Sequence, residues 1–516
     1  MSETNHKTII KSTAALGIAI VLTKIAGFAL EVTLATLYGA GTVTDAFVIA
    51  YSVPGLAIVI VTALISGFIP MYHKVNDQAK FMRNIMTCLI IIGLLFSVIF
   101  TINPGWIVRL FALRLPPETF ELSVYFVRYM VWSTVLVFLV EVFTAHLQIN
   151  GAFFASGIQT VFSKAIVIGG LILGAVFEYN LFIALAPVIG NVLRMMFLAL
   201  SSRKHGFFYR PYLDFKSPEL RQLLILCSPI LLMTIFGQLT EIINRNLAAA
   251  LPVGSISHLN YSVRTVSLFT LAGSLLVTVL FPHMSKLAAD DNIERLRNSL
   301  TSGIIYITAT MLPVSVGLFF LAQPGVRMLF QRGAFTVEDT IQTAACLRMH
   351  AIIPLVGSLA PLLIRAFHAC RNTKTPAYTS VVATIAGIGL SFVLIQPFGA
   401  EGLALAFSLS GLLGLILLLI FIRKKIGRLG LRSNFPEFFK IISATAIMGL
   451  VVWFAAYALP LMESPFLLSI LLCAAIVVLA VIVYGGLMVM LKSKTAHECI
   501  GVAMEYLSKK RKGADT

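Results

Sequence analysis

Apolar runs of about twenty residues, separated by short stretches rich in Gly, Pro and charged residues, recur along the whole chain. A helix of this length crosses the hydrocarbon core of a bilayer. The runs predict an all-α polytopic membrane protein. Its fourteen predicted transmembrane helices have the approximate bounds 8–37, 43–72, 84–103, 121–148, 154–177, 181–201, 219–249, 256–284, 299–323, 340–368, 377–396, 401–422, 437–459 and 465–491.

The composition excludes a soluble protein. Hydrophobic residues make up 58% of the 516 residues and charged residues 12%, whereas soluble domains carry roughly 25% charged residues. The sequence has no P-loop, GxSxG or HExxH motif, and its six cysteines form no CxxC pair. We therefore expect a transporter rather than an enzyme, with no catalytic residue, no metal site and no cofactor. A coupling ion remains open, with its identity unassigned.

Basic residues are distributed asymmetrically between alternate loops. With the N-terminus placed in the cytoplasm, cytoplasmic segments hold 27 of the 39 Lys and Arg residues, and external loops hold only Arg109, Arg114, Arg327 and Arg332. Membrane proteins retain positive charge on the cytoplasmic side. The bias predicts that both termini are cytoplasmic. It also accounts for the net charge of +17 without a nucleic-acid partner.

Landmarks of the first six predicted helices recur in order in the next six. The matched pairs are Gly41 and Gly254, Pro70 and Pro282, Leu110-Phe111 and Leu329-Phe330, Arg128 and Arg348, and His146 and His368. A repeat of six spans keeps both copies in one orientation, as in parallel-repeat transporters. The pattern predicts an N-lobe (1–215, helices 1–6), a C-lobe (216–433, helices 7–12), two further helices (434–492) and a basic cytoplasmic tail (493–516).

Several charged residues lie inside the predicted spans. A charge at mid-bilayer costs about 2.5–3.5 kcal/mol or more, so such residues usually face a cavity or a partner. The candidates for lining a central substrate cavity are Lys24, Glu31, Asp45, Arg245 and Arg264, with Glu241, Arg348 and Arg365 as secondary candidates. The three basic residues among the first group make such a cavity cationic, which suits a phosphate or pyrophosphate group.

Local structural roles remain open for some of these residues. Glu241 and Arg245 have the i, i+4 spacing of an ion pair on one helix. Asp45 follows Gly41-Thr42 and can cap the second helix. Arg128 and Arg348, near the outer ends of matched helices, can extend their side chains to the interface.

Four segments form a recognisable pattern: 27–47, with Gly39-Ala40-Gly41 and Thr44-Asp45-Ala46-Phe47; 244–264; Leu329-Phe330-Gln331-Arg332-Gly333-Ala334-Phe335-Thr336; and 365–376. Together they resemble the MurJ (MviN) family of lipid II flippases, within the multidrug/oligosaccharidyl-lipid/polysaccharide (MOP) exporter superfamily. The segments run from the first predicted span to the eleventh, so the resemblance covers most of the chain.

The resemblance implies a fold, a location and an activity. It implies two lobes around a cationic cavity, in a multi-pass protein of the bacterial inner (plasma) membrane that acts as a monomer. Alternating access would carry a polyprenyl-pyrophosphate-linked saccharide, the peptidoglycan precursor lipid II, from the inner to the outer leaflet, in support of the cell wall and cell shape. The head group would pass through the cavity, and the lipid tail would lie in a groove associated with the last two helices. The implied partners are this lipid-linked glycan and membrane lipids.

The chain departs from the family pattern in its first two helices. The family typically has arginine at the positions of Lys24 and Leu30 and early in the second span, where Ile58 stands here. Lys24 keeps the charge without the bidentate geometry of arginine. These departures keep open the export of another lipid-linked polysaccharide precursor, for capsule or exopolysaccharide. Two further alternatives are cation-coupled antiport of small molecules or drugs, with Glu31, Asp45 and Glu241 as candidate ion-binding acids, and a non-transporting membrane scaffold.

Overall fold

The computed structural model describes residues 3–289, 293–370, 372–430 and 433–498, and these residues form helices and their connections, without a strand. The helices are α1 (Glu3–Tyr38), α2 (Thr42–Tyr72), α3 (Gln78–Ile102), α4 (Pro104–Phe111), α5 (Pro117–Met130), α6 (Ser133–Ile149), α7 (Phe153–Val176), α8 (Asn180–Lys204), α9 (Pro218–Ala249), α10 (Ser255–Ala289), α11 (Ile293–Phe320), α12 (Ala322–Phe330), α13 (Val337–His350), α14 (Ile353–Ala369), α15 (Lys374–Ile426), α16 (Phe435–Ala458) and α17 (Phe466–Met490).

The multi-span helical fold is confirmed. Ten stretches in the described part of the chain are long and apolar enough to cross a membrane, and the bent pair α5–α6 makes an eleventh. The predicted single helix 121–148 is therefore wrong in detail, because the chain bends by 47° between Met130 and Ser133. The number fourteen stays a prediction.

The longest helix, α15, accounts for part of the difference between the fourteen predicted spans and the eleven found in the described part of the chain. α15 has 53 residues, which at 1.5 Å per residue is about 80 Å and far exceeds a bilayer of roughly 30 Å. Gly399 interrupts it with φ 54° and ψ −127°, a conformation that glycine adopts at little cost. The break falls between the predicted helices 377–396 and 401–422, so α15 has the length and the interruption of two successive spans.

Helix order and length recur along the chain. The series α4, α5, α6 has 8, 14 and 17 residues, and the series α12, α13, α14 has 9, 14 and 17. Arg128 lies in the last turn of α5 and Arg348 in the last turn of α13. This recurrence supports the internal repeat. The short helices α4 and α12 lie where the sequence predicted external loops.

The chain packs as two compact units. The first comprises Met1–Asn260 and Phe330–Asp339, and the second comprises Tyr261–Leu329 and Thr340–Thr516. Packing thus groups α9 with the helices that precede it. The lobe limits drawn from the repeat, at 215 and 433, stay a prediction.

Each unit has its own apolar core. In the first, Phe68 and Phe81 stack at a centroid distance of 5.6 Å within a cluster that includes Met82 and Met86. In the second, the corresponding cluster is built on α11, α14 and α15. Large apolar side chains also stay exposed along α16 and α17, as expected of helices that face lipid.

Candidate functional site

Asp45 caps a helix other than its own. Its carboxylate is buried, with 3% of the residue exposed. Oδ2 accepts a hydrogen bond from the Gly254 N–H at 2.8 Å. Oδ1 accepts from the Ser257 N–H at 2.9 Å and from the Ser257 hydroxyl. Because the first N–H groups of a helix lack intrahelical partners and carry partial positive charge, Asp45 stabilises the start of α10.

The prediction that Asp45 caps the second helix is therefore wrong. The N-cap of α2 is Gly41, and no side chain caps it. The correct partner lies about 210 residues away in sequence, and no local pattern identifies it.

Glu31 is the second acidic side chain that binds the start of α10. It is buried, with 6% exposed, and its Oε2 accepts a hydrogen bond from the Asn260 amide at 2.9 Å. Asn260 and Ser257 lie three residues apart on α10, so they share one face of the helix. Side chains from α1 and α2 thus hold the first two turns of α10.

Arg245 on α9 is held by α2 and by its own helix. Its guanidinium donates to the Val48 carbonyl at 3.1 Å and to the Ser52 hydroxyl. It also pairs with Glu241 at 2.7 Å, which agrees with the predicted i, i+4 pair. The Phe111 ring lies 5.8 Å from the guanidinium carbon. The Arg245 side chain is 17% exposed and that of Glu241 52%, so Arg245 is the more enclosed member of the pair.

The other predicted residues are described one by one. Lys24 is exposed on α1, and it forms no hydrogen bond or ion pair with the described residues. Arg264 is exposed on α10 within the second unit. Arg365 is half-buried on α14. Arg348 lies at the end of α13, where its guanidinium is 3.5 Å from the Gln323 Oε1.

A second polar cluster lies between helices of the first unit. Arg194 on α8 pairs with Glu141 on α6 at 3.4 Å and also donates to the Gln159 amide oxygen on α7. Nearby on α7, Lys164 donates to the Tyr51 hydroxyl at 3.0 Å. The sequence shows the charged residues but not which of them pair, and it does not single out the uncharged partners Gln159 and Tyr51.

The segment Phe330–Asp339, which carries the Gln-Arg-Gly-Ala-Phe-Thr motif, packs with the first unit. The Ala334 N–H donates to the Thr36 carbonyl at the end of α1 at 2.8 Å. Gly333 has φ 58°, and a Cβ there would overlap the Thr36 carbonyl oxygen. Both the backbone conformation and the close approach therefore require glycine.

An apolar cavity of about 510 Å³ lies within the second unit. We call it the apolar groove. Helices α10, α11, α12, α16 and α17 contribute its walls, together with Leu347 of α13. Its lining includes Leu268, Pro313, Met448, Val452, Cys473 and Ala480. Such a cavity suits a hydrocarbon chain.

Charged residues buried within helices that are long and apolar enough to cross a membrane are typical of a membrane transporter. The sequence profile of the family described as "Lipid II flippase MurJ" matches residues 34–474. The chain belongs to this family.

Curated relatives match most of the chain. A probable lipid II flippase MurJ from Thermotoga maritima is 28% identical over 450 residues, which cover 86% of this chain and 90% of that protein. A probable lipid II flippase MurJ from Bdellovibrio bacteriovorus is 25% identical over 505 residues, covering 94% of this chain and 95% of that protein.

Solved structures show the same fold. A lipid II flippase MurJ in an inward closed conformation matches with a TM-score of 0.76 and 24% identity, over 91% of this chain and 98% of that one. An inward-facing multidrug resistance MATE transporter of the MOP superfamily matches with a TM-score of 0.63 and 14% identity, over 81% of this chain and 98% of that one.

Proposed function

We propose that this protein is a flippase that moves lipid II, a polyprenyl-pyrophosphate-linked saccharide, from the inner to the outer leaflet of the bacterial inner membrane by alternating access. The observation that carries the proposal is the family match over residues 34–474. The curated relatives are named for the same substrate. This family assignment favours the peptidoglycan precursor over the other cargoes that the sequence left open.

The apolar groove supports the proposal from the side of the lipid tail. Its lining is mostly apolar, so it offers a polyprenyl chain a surface equivalent to lipid. The walls formed by α16 and α17 agree with the predicted place of the tail beside the last two helices. In the proposed mechanism the tail stays in the apolar environment while the head group crosses.

Three basic residues support the proposal, because they can bind the pyrophosphate head group. Lys24 and Arg264 are exposed, so an anion can approach both side chains. Arg245 is fixed by Ser52 and Glu241, which presents its guanidinium in one orientation. A pyrophosphate gains charge-assisted hydrogen bonds from such groups. We propose that each of these three residues contacts the head group during transport.

The energy source in this proposal is not ATP, because the sequence holds no nucleotide-binding motif. The membrane potential supplies about 2.3 kcal/mol per charge per 100 mV. Consumption of the transported lipid on the outer side lowers its concentration there and so also favours net outward transport. The proposed orientation has both termini in the cytoplasm, and the proposed functional unit is a monomer.

A bacterium depleted of its own lipid II flippase tests the proposal. Expression of the wild-type chain is expected to restore growth and the exposure of lipid II to an externally added lipid II-degrading enzyme. Arg264→Ala is expected to abolish both at an unchanged membrane level. Arg128→Ala, at an exposed position in the last turn of α5, is the matched control. Failure of the well-expressed wild type to restore either readout would overturn the assignment of lipid II.

A further inference from the structure

A second cavity of about 510 Å³ lies in the second unit, at the ends of several helices. We call it the outer pocket, because the distribution of Lys and Arg predicts that these helix ends are external. It is bounded by the end of α11, the start of α12, the ends of α13 and α16, and the α16–α17 connection. Its polar and aromatic lining includes Gln323, Arg348, Trp453, Tyr457 and Glu463.

Arg348 supplies the positive charge of the outer pocket. Within the described part of the chain it forms no ion pair, and its one hydrogen bond, to Gln323, is long at 3.5 Å. Its guanidinium therefore keeps most of its donors for a ligand. A guanidinium of this kind binds one phosphodiester anion well.

Glu463 and two aromatic rings supply the complementary features. The Glu463 side chain is exposed in the α16–α17 connection and lines the same cavity. Trp453 and Tyr457 stack at 6.2 Å with their planes 19° apart. A carboxylate together with aromatic faces binds an ammonium group.

The wall that carries Glu463 is held in place from behind. Arg327 on α12 donates to the Ser464 carbonyl and the Ser469 hydroxyl, both at 2.8 Å, and also to the Leu461 carbonyl. The Ser464 hydroxyl donates to the Pro460 carbonyl at 2.7 Å. The connection is thus preorganised, which lowers the entropic cost of binding a ligand.

The neighbouring surface is suited to acyl chains. Leu450 and Phe454, on the same helix as Trp453, are exposed large apolar residues. Membrane-interface belts of Trp and Tyr are common. Such a belt accounts for the two rings, but it does not account for a cation, a carboxylate and an amide lining one cavity beside them.

We infer that the outer pocket binds the headgroup of a zwitterionic phospholipid of the outer leaflet, with the phosphodiester at Arg348 and a primary ammonium between Glu463 and the Trp453–Tyr457 pair. One arginine matches the single charge of a phosphodiester. Glu463 would repel the second charge of a pyrophosphate, so the balance of charges favours a bilayer phospholipid over the transported substrate.

Native mass spectrometry of the purified full-length chain in detergent tests this inference. Phosphatidylethanolamine and phosphatidylglycerol with identical acyl chains are supplied in equal amounts, and the retained lipid is identified. The wild type is expected to retain phosphatidylethanolamine several-fold over phosphatidylglycerol. Glu463→Gln should bring that ratio close to one, and Arg348→Gln should lower retention of both lipids several-fold.

Two control variants match the charge changes. Arg128→Gln, at the equivalent place in α5, and Glu121→Gln, exposed on the same helix, should leave the lipid ratio unchanged. Trp453→Leu keeps the charges of Arg348 and Glu463 and should weaken retention of phosphatidylethanolamine. This variant tests the inference if a charge variant does not fold.

Equal retention of the two lipids by the wild type would overturn the inference, as would a ratio that neither Glu463→Gln nor Arg348→Gln alters. Added lipid II that displaces the phospholipid, with retention that depends on Arg348, would assign the pocket to the substrate instead. None of these readouts uses flipping, so their failure is distinct from failure of the proposed function.

Discussion

The Asp45 carboxylate on α2 lies 2.9 Å from the backbone N–H of Ser257 on α10. One buried side chain of α2 thus accepts hydrogen bonds from two backbone N–H groups at the start of α10. Since Glu31 binds Asn260 on the same helix, the first turns of α10 depend on two acids contributed by α1 and α2.

Replacement of Asp45 should therefore destabilise the protein more than loss of an ordinary cap. Asp45→Ala leaves two buried N–H groups without an acceptor, and loss of a cap alone costs about 0.5–2 kcal/mol. Asp45→Asn keeps one acceptor and should cost less. Thermal unfolding in detergent gives the order of stability. Asp77→Ala removes the exposed cap of α3 and is the control; an equal loss at both sites would contradict the cross-helix role.

Arg245 should not tolerate lysine. Its guanidinium binds Val48, Ser52 and Glu241 at once, and an ammonium cannot reproduce this fork. Arg245→Lys should reduce growth rescue of a flippase-depleted bacterium at least several-fold. Glu241→Gln removes only a half-exposed pair worth about 0.3–0.5 kcal/mol and should retain most of the rescue. Full rescue by Arg245→Lys would show that charge alone suffices.

Gly333 should be intolerant even of alanine. Its positive φ and the nearby Thr36 carbonyl both oppose a Cβ, and strain of this kind costs about 1–3 kcal/mol. Gly333→Ala should lower the melting temperature of the purified protein. Gly169→Ala, in α7 with open space where the added Cβ would lie, should leave it unchanged or raise it.

Filling the apolar groove should block transport without removing the protein from the membrane. Ala480 lines the groove, so Ala480→Trp occupies the space proposed for the lipid tail. Ala475 is exposed on the same helix and does not line the groove, and Ala475→Trp adds the same bulk on another face. Rescue of growth should be lost in the first variant and kept in the second, with membrane levels compared by immunoblot. Loss in both would indicate damage to α17 rather than to the groove.

The predicted orientation can be tested by labelling of added cysteines in intact cells. Arg114 and Arg423 are both exposed, in a predicted external loop and a predicted cytoplasmic segment. A membrane-impermeant maleimide should label Arg114→Cys but not Arg423→Cys until the cells are permeabilised. The five native cysteines that the structure describes are buried or half-buried, and the unmodified chain gives the background. The reverse pattern would invert the topology.

The sequence was sufficient for features that depend on short-range patterns. Long apolar runs predicted the spans, the recurring landmarks predicted the internal repeat, and i, i+4 spacing predicted the Glu241–Arg245 pair. The bend after Met130 and the eight-residue helix α4 were missed, because a single turn or two of helix carries too few apolar positions to define a period.

Features that depend on distant residues could not be predicted in this way. Asp45 was recognised as a capping residue, but its helix was not, since Ser257 is brought to it only by the fold. Arg348 was placed near an outer helix end. Its neighbours Trp453 and Glu463 belong to a part of the chain outside the repeat, so no internal comparison could associate them with it.

The ion pair between Glu141 and Arg194 suggests a route to a more robust protein for laboratory use. Charges held between packed helices have lost their hydration, and a well-fitting apolar pair of similar volume is often equally stable or better. Removal of either residue leaves the other as an uncompensated buried charge. The apolar solution is therefore reached only when Glu141→Leu and Arg194→Met are introduced together, with Gln159→Leu added because the buried Gln159 amide oxygen accepts a hydrogen bond from Arg194.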